Sequence, residues 1–210
     1  KPTRFYEEAN VVQLEDGYAI QLDGRPVRTP LGQAQLLMSK ALAEAIADEW
    51  RSQGDKVDPA SMPLCGYANT AIDRIGNNRQ IIFDDVLNFA STDLLCYRSE
   101  APDDLVARQN EQWQPLLDWS AETMGGELQV TVGVLPVKQP VKAIEALANK
   151  LQQLDDMELA GIASLTAACG SLILAFALAE GRIDADHAFD FAQLDEIYQN
   201  ERWGADEEAK

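Results

Sequence analysis

The spacing of apolar positions along the chain changes character near residue 60. Before it, apolar residues come in short runs broken by turn residues. Residues 11–14 and 18–22 are predicted strands, separated by the turn Glu15-Asp16-Gly17. Asp23-Gly24 is a two-residue hairpin signal leading into residues 25–29. Pro26 has no backbone donor, so that arm is predicted to be an edge strand or to carry a bulge. Pro30-Leu31-Gly32 predicts another turn, and residues 34–38 one more strand. Ser39 is a predicted helix N-cap, with Leu42, Ile46, Glu49 and Trp50 following at helical spacing and Gly54 closing the helix.

From the connector at residues 57–61 onward, the period is helical. Residues 63–75 and 81–89 are predicted helices, with Gly76-Asn77-Asn78-Arg79 as a turn between them. Residues 105–124 form a third, stopped by Gly125-Gly126. Residues 128–132 alternate weakly and predict a lone strand, and residues 141–151 are amphipathic. Residues 158–179 read as one central buried helix ended by Gly181. Asp184 caps a last helix running to Trp203, with Gly204 at its end. These elements predict an α+β fold: a small β-rich N-terminal domain, residues 1–60, packed on a larger, mainly helical C-terminal domain, residues 61–210.

Residues 159–179 hold 21 positions without a charge, the length of a membrane span. Only eight of them are Leu, Ile or Phe, and the flanks are acidic (Asp155, Asp156, Glu158, Glu180), opposite to the positive-inside pattern. The segment therefore reads as a core helix without membrane insertion. Its small residues Gly161, Ser164, Ala168 and Ser171 are placed to let neighbouring helices approach.

Charge narrows the function classes. With 17 Lys plus Arg against 35 Asp plus Glu, the net charge is −18. Phosphate backbones and anionic lipid need cations, so a nucleic-acid binder and a peripheral lipid binder are disfavoured. Three cysteines (Cys65, Cys96, Cys169) are too few and too far apart for a disulfide framework or a zinc cage, and each is expected in the core. No metal or cofactor is expected. The lack of an N-terminal signal core and the free thiols point to a cytoplasmic or organelle-matrix protein.

Three groups remain as candidate chemistry. His187, the single histidine, lies in a first helical turn, where the helix dipole favours its neutral form. On the last helix, Phe191, Leu194, Ile197 and Tyr198 form the apolar stripe. Glu201 falls at the angle of Leu194, Asp195 borders the stripe, and Glu196 points away. Glu201 is then either exposed on a frayed end or held against an apolar surface to meet a partner's cation. Arg25 and Arg28 flank the Pro26 edge strand, where they either block aggregation or face a partner.

An ordered set of motifs spans nearly the whole chain. It runs through Thr3-Arg4-Phe5-Tyr6, Leu22-Asp23-Gly24-Arg25-Pro26-Val27-Arg28-Thr29-Pro30, Glu49-Trp50, Met62-Pro63-Leu64 and Asn69-Thr70-Ala71-Ile72-Asp73. Thr92-Asp93-Leu94-Leu95-Cys96-Tyr97-Arg98, Trp113-Gln114-Pro115-Leu116, Leu194-Asp195-Glu196-Ile197-Tyr198-Gln199 and Trp203-Gly204 complete it. The set resembles the family of F-type ATP synthase assembly chaperones that attend the alpha subunit of the catalytic head. The resemblance implies a non-enzymatic protein that binds the unassembled alpha subunit and shields its beta-facing surface until beta replaces it; a monomer is expected. It implies the bacterial cytoplasm, or the mitochondrial matrix in a eukaryotic member. The family's acidic stretch before Tyr-Gln falls on Asp195 and Glu196, with Glu201 one turn beyond. Partner contact is expected at Asp195, Glu196, Tyr198, Glu201, Trp203, Arg25 and Arg28, and the wheel favours Asp195 and Glu201 over Glu196. The alternative is a small hydrolase or transferase using His187 with nearby carboxylates. An acidic mimic of nucleic acid is weaker, because the acidic residues scatter along the chain.

Overall fold

The computed structural model describes residues 1–204, apart from the side chains of residues 76 and 77. The chain packs as two compact units, Lys1–Arg79 and a second that begins at Gln80.

In the first unit, β1 (Ala9–Leu14) and β2 (Gly17–Leu22) pair antiparallel from Ala9↔Leu22 to Leu14↔Gly17. The free edge of β2 is shared by β3 (Arg25–Pro26) and β4 (Leu36–Leu37), each antiparallel to it. Positive φ at Asp23 (49°) and Gly24 (78°) makes the β2–β3 turn of the predicted two-residue type. α1 (Lys40–Arg51) covers the sheet with Ala43, Ile46 and Ala47, and Ser39 Oγ caps it at the Leu42 amide. It ends at Ser52, two residues before the predicted glycine stop.

α2 (Pro63–Ser91) replaces the two predicted helices and the turn between them. Non-helical backbone at Asn78 (φ −130°, ψ 18°) kinks it. The change in composition lies near residue 60, whereas the compact units divide at residues 79 and 80. The first turns of α2 are tied to the sheet side of the chain. Both Glu49 carboxylate oxygens accept from the Leu64 and Cys65 amides at 2.8 Å, and Asp73 accepts from Thr29 Oγ1 at 2.5 Å.

In the second unit, α3 (Asp103–Met124) ends at Gly125 in the left-handed region (φ 72°). The predicted lone strand is paired: β5 (Tyr97–Arg98) lies parallel to β6 (Thr131–Val132). α4 (Val141–Gln152) follows. The single central helix of the sequence prediction is two helices, α5 (Asp156–Cys169) and α6 (Leu172–Ala179). Gly170 (φ 66°) ends the first, and Ser171 Oγ starts the second by accepting from the Leu174 amide at 3.0 Å. α6 alone is the core helix, buried from Leu172 to Ala177 and touching α3, α5 and a further helix, α7 (Ala185–Ala192). α5 buries only Leu159, Ala160, Ile162 and Thr166. Ser164 and Ala168 are exposed, so they are not the close-approach positions that the pattern predicts. Cys65 and Cys96 are buried as expected, while Cys169 is only half-buried. The predicted last helix is also two, α7 and α8 (Leu194–Trp203), because Gln193 (φ −104°, ψ 15°) leaves the helical region. Among the described residues, no helix is long and apolar enough to cross a membrane.

Candidate functional site

α8 is braced along one side by α3. At its start, Asp195 Oδ1 accepts from Gln109 Nε2 at 2.7 Å. Gln109 is fully buried, and the Ser99 amide donates to its Oε1 at 2.8 Å. Beside it lies the buried guanidinium of Arg98, which stacks 5.1 Å over the Trp113 ring and donates to Leu95 O and, at 3.2 Å, to Asn110 Oδ1. Burial lowers the Arg98 pKa, and the charges around it, Asp195 among them, work against that. Asp195 thus serves as countercharge to a buried cation of its own chain.

Further along, Tyr198 is buried, and its hydroxyl donates to Asp104 Oδ1 at 2.7 Å. That hydrogen bond, followed by the charge of Arg202, lowers the Asp104 pKa. Arg202 lies 3.5 Å from Asp104 Oδ2 and contacts the Tyr198 hydroxyl. At the end, Glu201 takes both terminal nitrogens of Arg108, at 2.7 and 3.1 Å. Such fork-to-fork geometry fixes orientation as well as charge, and the Arg108 hydrogen bond lowers the Glu201 pKa. Trp113 Nε1 adds a bond to Phe191 O at 3.0 Å, which ties α7 to the same helix.

The predicted site residues therefore separate into two sets. Asp195 and Tyr198 lie on the side of α8 that meets α3, as the wheel has it; Glu201 is exposed at the edge of that side, and the cation it meets is Arg108 of this chain. Glu196 and Trp203 remain on the outer face, both exposed, Trp203 at 73%. They stand seven residues apart with Gln199 and Asn200 between them, the i, i+3, i+4, i+7 stripe of a single helix face. The sequence pattern holds the signal for this stripe; what it lacks is the set of α3 residues that occupy the other carboxylates.

His187 is exposed and belongs to a cap. Asp184 Oδ1 accepts from its amide at 2.9 Å and lies 2.7 Å from its Nδ1. That hydrogen bond, with the charge of Asp184, raises the His187 pKa, a shift opposite in direction to the one expected from the helix dipole.

In the first unit, Arg25 and Arg28 rim a cavity of about 390 Å³ lined by Phe5, Tyr6, Leu22, Asp23, Pro26, Val27 and Trp50. Tyr6, Leu22 and Val27 are buried in its floor, and Phe5 is 72% exposed at its edge. Arg4 holds the Phe5-Tyr6 backbone by donating to Tyr6 O, Gln53 O and Glu7 O, and it sits 4.6 Å over the Tyr6 ring. Tyr6 meets Trp50 edge to face at 5.5 Å and donates to Trp50 O at 2.6 Å.

Comparison with known proteins converges on one family. The family described as ATP12 chaperone protein matches residues 3–121. Protein atp12, mitochondrial, of Schizosaccharomyces pombe is 28% identical over 98% of this chain and 75% of its own length. Atp12 of Paracoccus denitrificans is 40% identical, with a TM-score of 0.94 over 99% of this chain and 89% of that one. An aspartate-to-lysine mutant of the Paracoccus protein has the same TM-score. A solved protein of Agrobacterium tumefaciens is 43% identical, with a TM-score of 0.89 over 99% of this chain and 78% of that one. The fold and these likenesses define a molecular chaperone. The chain belongs to the ATP12 chaperone family and is an assembly chaperone of the F-type ATP synthase.

Proposed function

We propose that the chain binds the unassembled alpha subunit of the ATP synthase catalytic head and shields the surface that beta later covers. The observation that supports this reading is the outer stripe of α8. A carboxylate and a large aromatic ring stand on one exposed helix face, while Asp195, Tyr198 and Glu201 on the other side hold the helix against α3. Exposed tryptophan on a rigid element is a frequent interface anchor. An isolated subunit exposes an apolar surface that invites aggregation, and a cover for it needs an apolar anchor with a polar rim. In this reading Glu196 and Trp203 touch the client, and Asp195, Tyr198 and Glu201 position the helix that carries them. Arg25 and Arg28 form a second contact. The protein acts as a monomer without catalysis, cofactor, nucleic acid or membrane insertion, in the bacterial cytoplasm or its mitochondrial equivalent.

The test is binding of purified, unassembled alpha subunit by calorimetry, with beta added as competitor. Glu196→Lys and Trp203→Ala are each expected to weaken binding by about tenfold or more, with unfolding curves unchanged. Beta is expected to displace the chaperone. His187→Ala is expected to bind as wild type does, whereas the hydrolase alternative requires His187. Full binding by both α8 variants would remove the stripe from the interface.

A further inference from the structure

We infer that the cavity in the first unit is a docking groove for an extended client segment that carries a carboxylate beside an apolar or aromatic side chain. The inference rests on the chaperone reading for its occupant and goes beyond it in assigning the site and the recognised chemistry.

Three observations carry it. The first is charge. In a chain with twice as many acidic as basic residues, two guanidinium groups stand at one opening, and among the described residues no carboxylate is bound to either. The Arg25 side chain has no hydrogen bond or ion pair among the described residues, and the Arg28 guanidinium donates there only to the Gly32 carbonyl, at 2.9 Å. The one acidic lining residue, Asp23, is engaged by backbone: its carboxylate accepts from the Glu7 and Glu8 amides at 2.9 to 3.2 Å. A carboxylate from outside would therefore meet two unneutralised cations.

The second observation is the floor. Tyr6, Trp50 and Val27 present an apolar base with Phe5 standing open beside it. Tyr, Trp and Arg are the residue types that concentrate binding energy. A volume of 390 Å³ lies at the small end of the ~300–1,000 Å³ range of ligand sites. It admits a few side chains and no folded surface.

The third is the state of the backbone. The segment at the rim offers only a short, interrupted strand edge. Pro26 lacks an N–H, the Val27 amide donates to Ile20 O at 2.9 Å, and Val27 O accepts from Gln35. Arg28 is bridged to Ala34. With Pro26 unable to donate, this short rim offers little ladder pairing, and recognition falls mainly to side chains. Arg4, fixed by three carbonyls, keeps the Phe5-Tyr6 wall in place before any ligand arrives.

The test uses the full chain and purified alpha subunit. Arg25→Glu with Arg28→Glu is expected to weaken binding by about tenfold or more and to flatten its dependence on NaCl. Arg25→Lys with Arg28→Lys is expected to retain most of the affinity. A photo-crosslinking phenylalanine analogue at position 5 is expected to capture a client peptide containing Asp or Glu next to an apolar residue. Failure of wild type to bind alpha overturns the chaperone reading. Binding by wild type with equal affinity in the charge-reversed protein, or a captured peptide without a carboxylate, overturns the groove alone. Protection of the groove by ATP, with no client peptide captured, identifies a nucleotide site and also overturns it.

Discussion

Asp93 shows how one residue couples the fold to pH. It is fully buried and ties the chain before α3 to the start of α6: its carboxylate accepts from the Leu95 amide at 3.1 Å and the Ile173 amide at 3.2 Å. Burial raises its pKa from 3.8 to about 6, against the hydrogen bonds from Ser171 and three amides. Between those two values the folded chain holds a proton that the unfolded chain has released. This group's contribution to stability therefore falls as pH rises from about 4 to 6, by on the order of 3 kcal/mol. Asp93→Asn cannot titrate, so its Tm should change less than that of wild type between pH 4.5 and 7. At pH 7 it should also be less stable, because an amide NH₂ would face the Leu95 or Ile173 N–H. Parallel Tm curves for the two proteins would refute this assignment.

At the scale of elements, the break between α5 and α6 and the turn after α3 are made by glycines for different reasons. Gly170 has φ 66°, but an added Cβ would lie 4.0 Å from its nearest neighbour, Leu94. Its requirement is conformational, about 1–2 kcal/mol. Gly126 follows the left-handed Gly125, and a Cβ there would come within 2.6 Å of Ser120 Oγ and 2.8 Å of Leu147 Cδ2, both fully buried side chains. Its requirement is space. Gly170→Ala is expected to lower Tm by a few degrees, and Gly126→Ala by more, as read by differential scanning calorimetry. The reverse ranking would show that the core around Leu147 gives way easily.

For the molecule as a whole, the net charge of −18 sets a condition on stability. Carboxylates outnumber cations, so long-range repulsion within the folded state exceeds the gain from its exposed ion pairs, each worth at most ~1 kcal/mol. Raising NaCl from about 20 to 300 mM shortens the Debye length several-fold and should raise Tm. A fall in Tm would mean that pairs such as Arg108–Glu201 and Lys150–Glu180 dominate instead. The same charge disfavours self-association and leaves the Arg25–Arg28 rim as a local exception on an acidic surface.

Periodicity by itself determined the α+β class, the β1–β2 hairpin, the caps at Ser39 and Asp184, and the inward and outward sides of α8. These follow from local rules: turn residues, alternation and helical spacing act over a few neighbours. Order of motifs along the chain was enough to show the family. Only the tertiary structure decided where long apolar stretches break. Residues 159–179 are uniformly small or apolar, so no period marks Gly170 as a stop; Asp93, distant in sequence, supplies the carboxylate that helps start α6 there. β5 was illegible for the same reason, since two residues gain strand character only from the partner β6. The roles of the acidic residues on α8 were likewise beyond the sequence. A helical wheel ranks Asp195 and Glu201 by direction, but whether a carboxylate is free depends on what lies opposite, and Gln109 and Arg108 lie 86 and 93 positions away. Direction is encoded locally; occupancy is a property of contacts between distant parts of the chain.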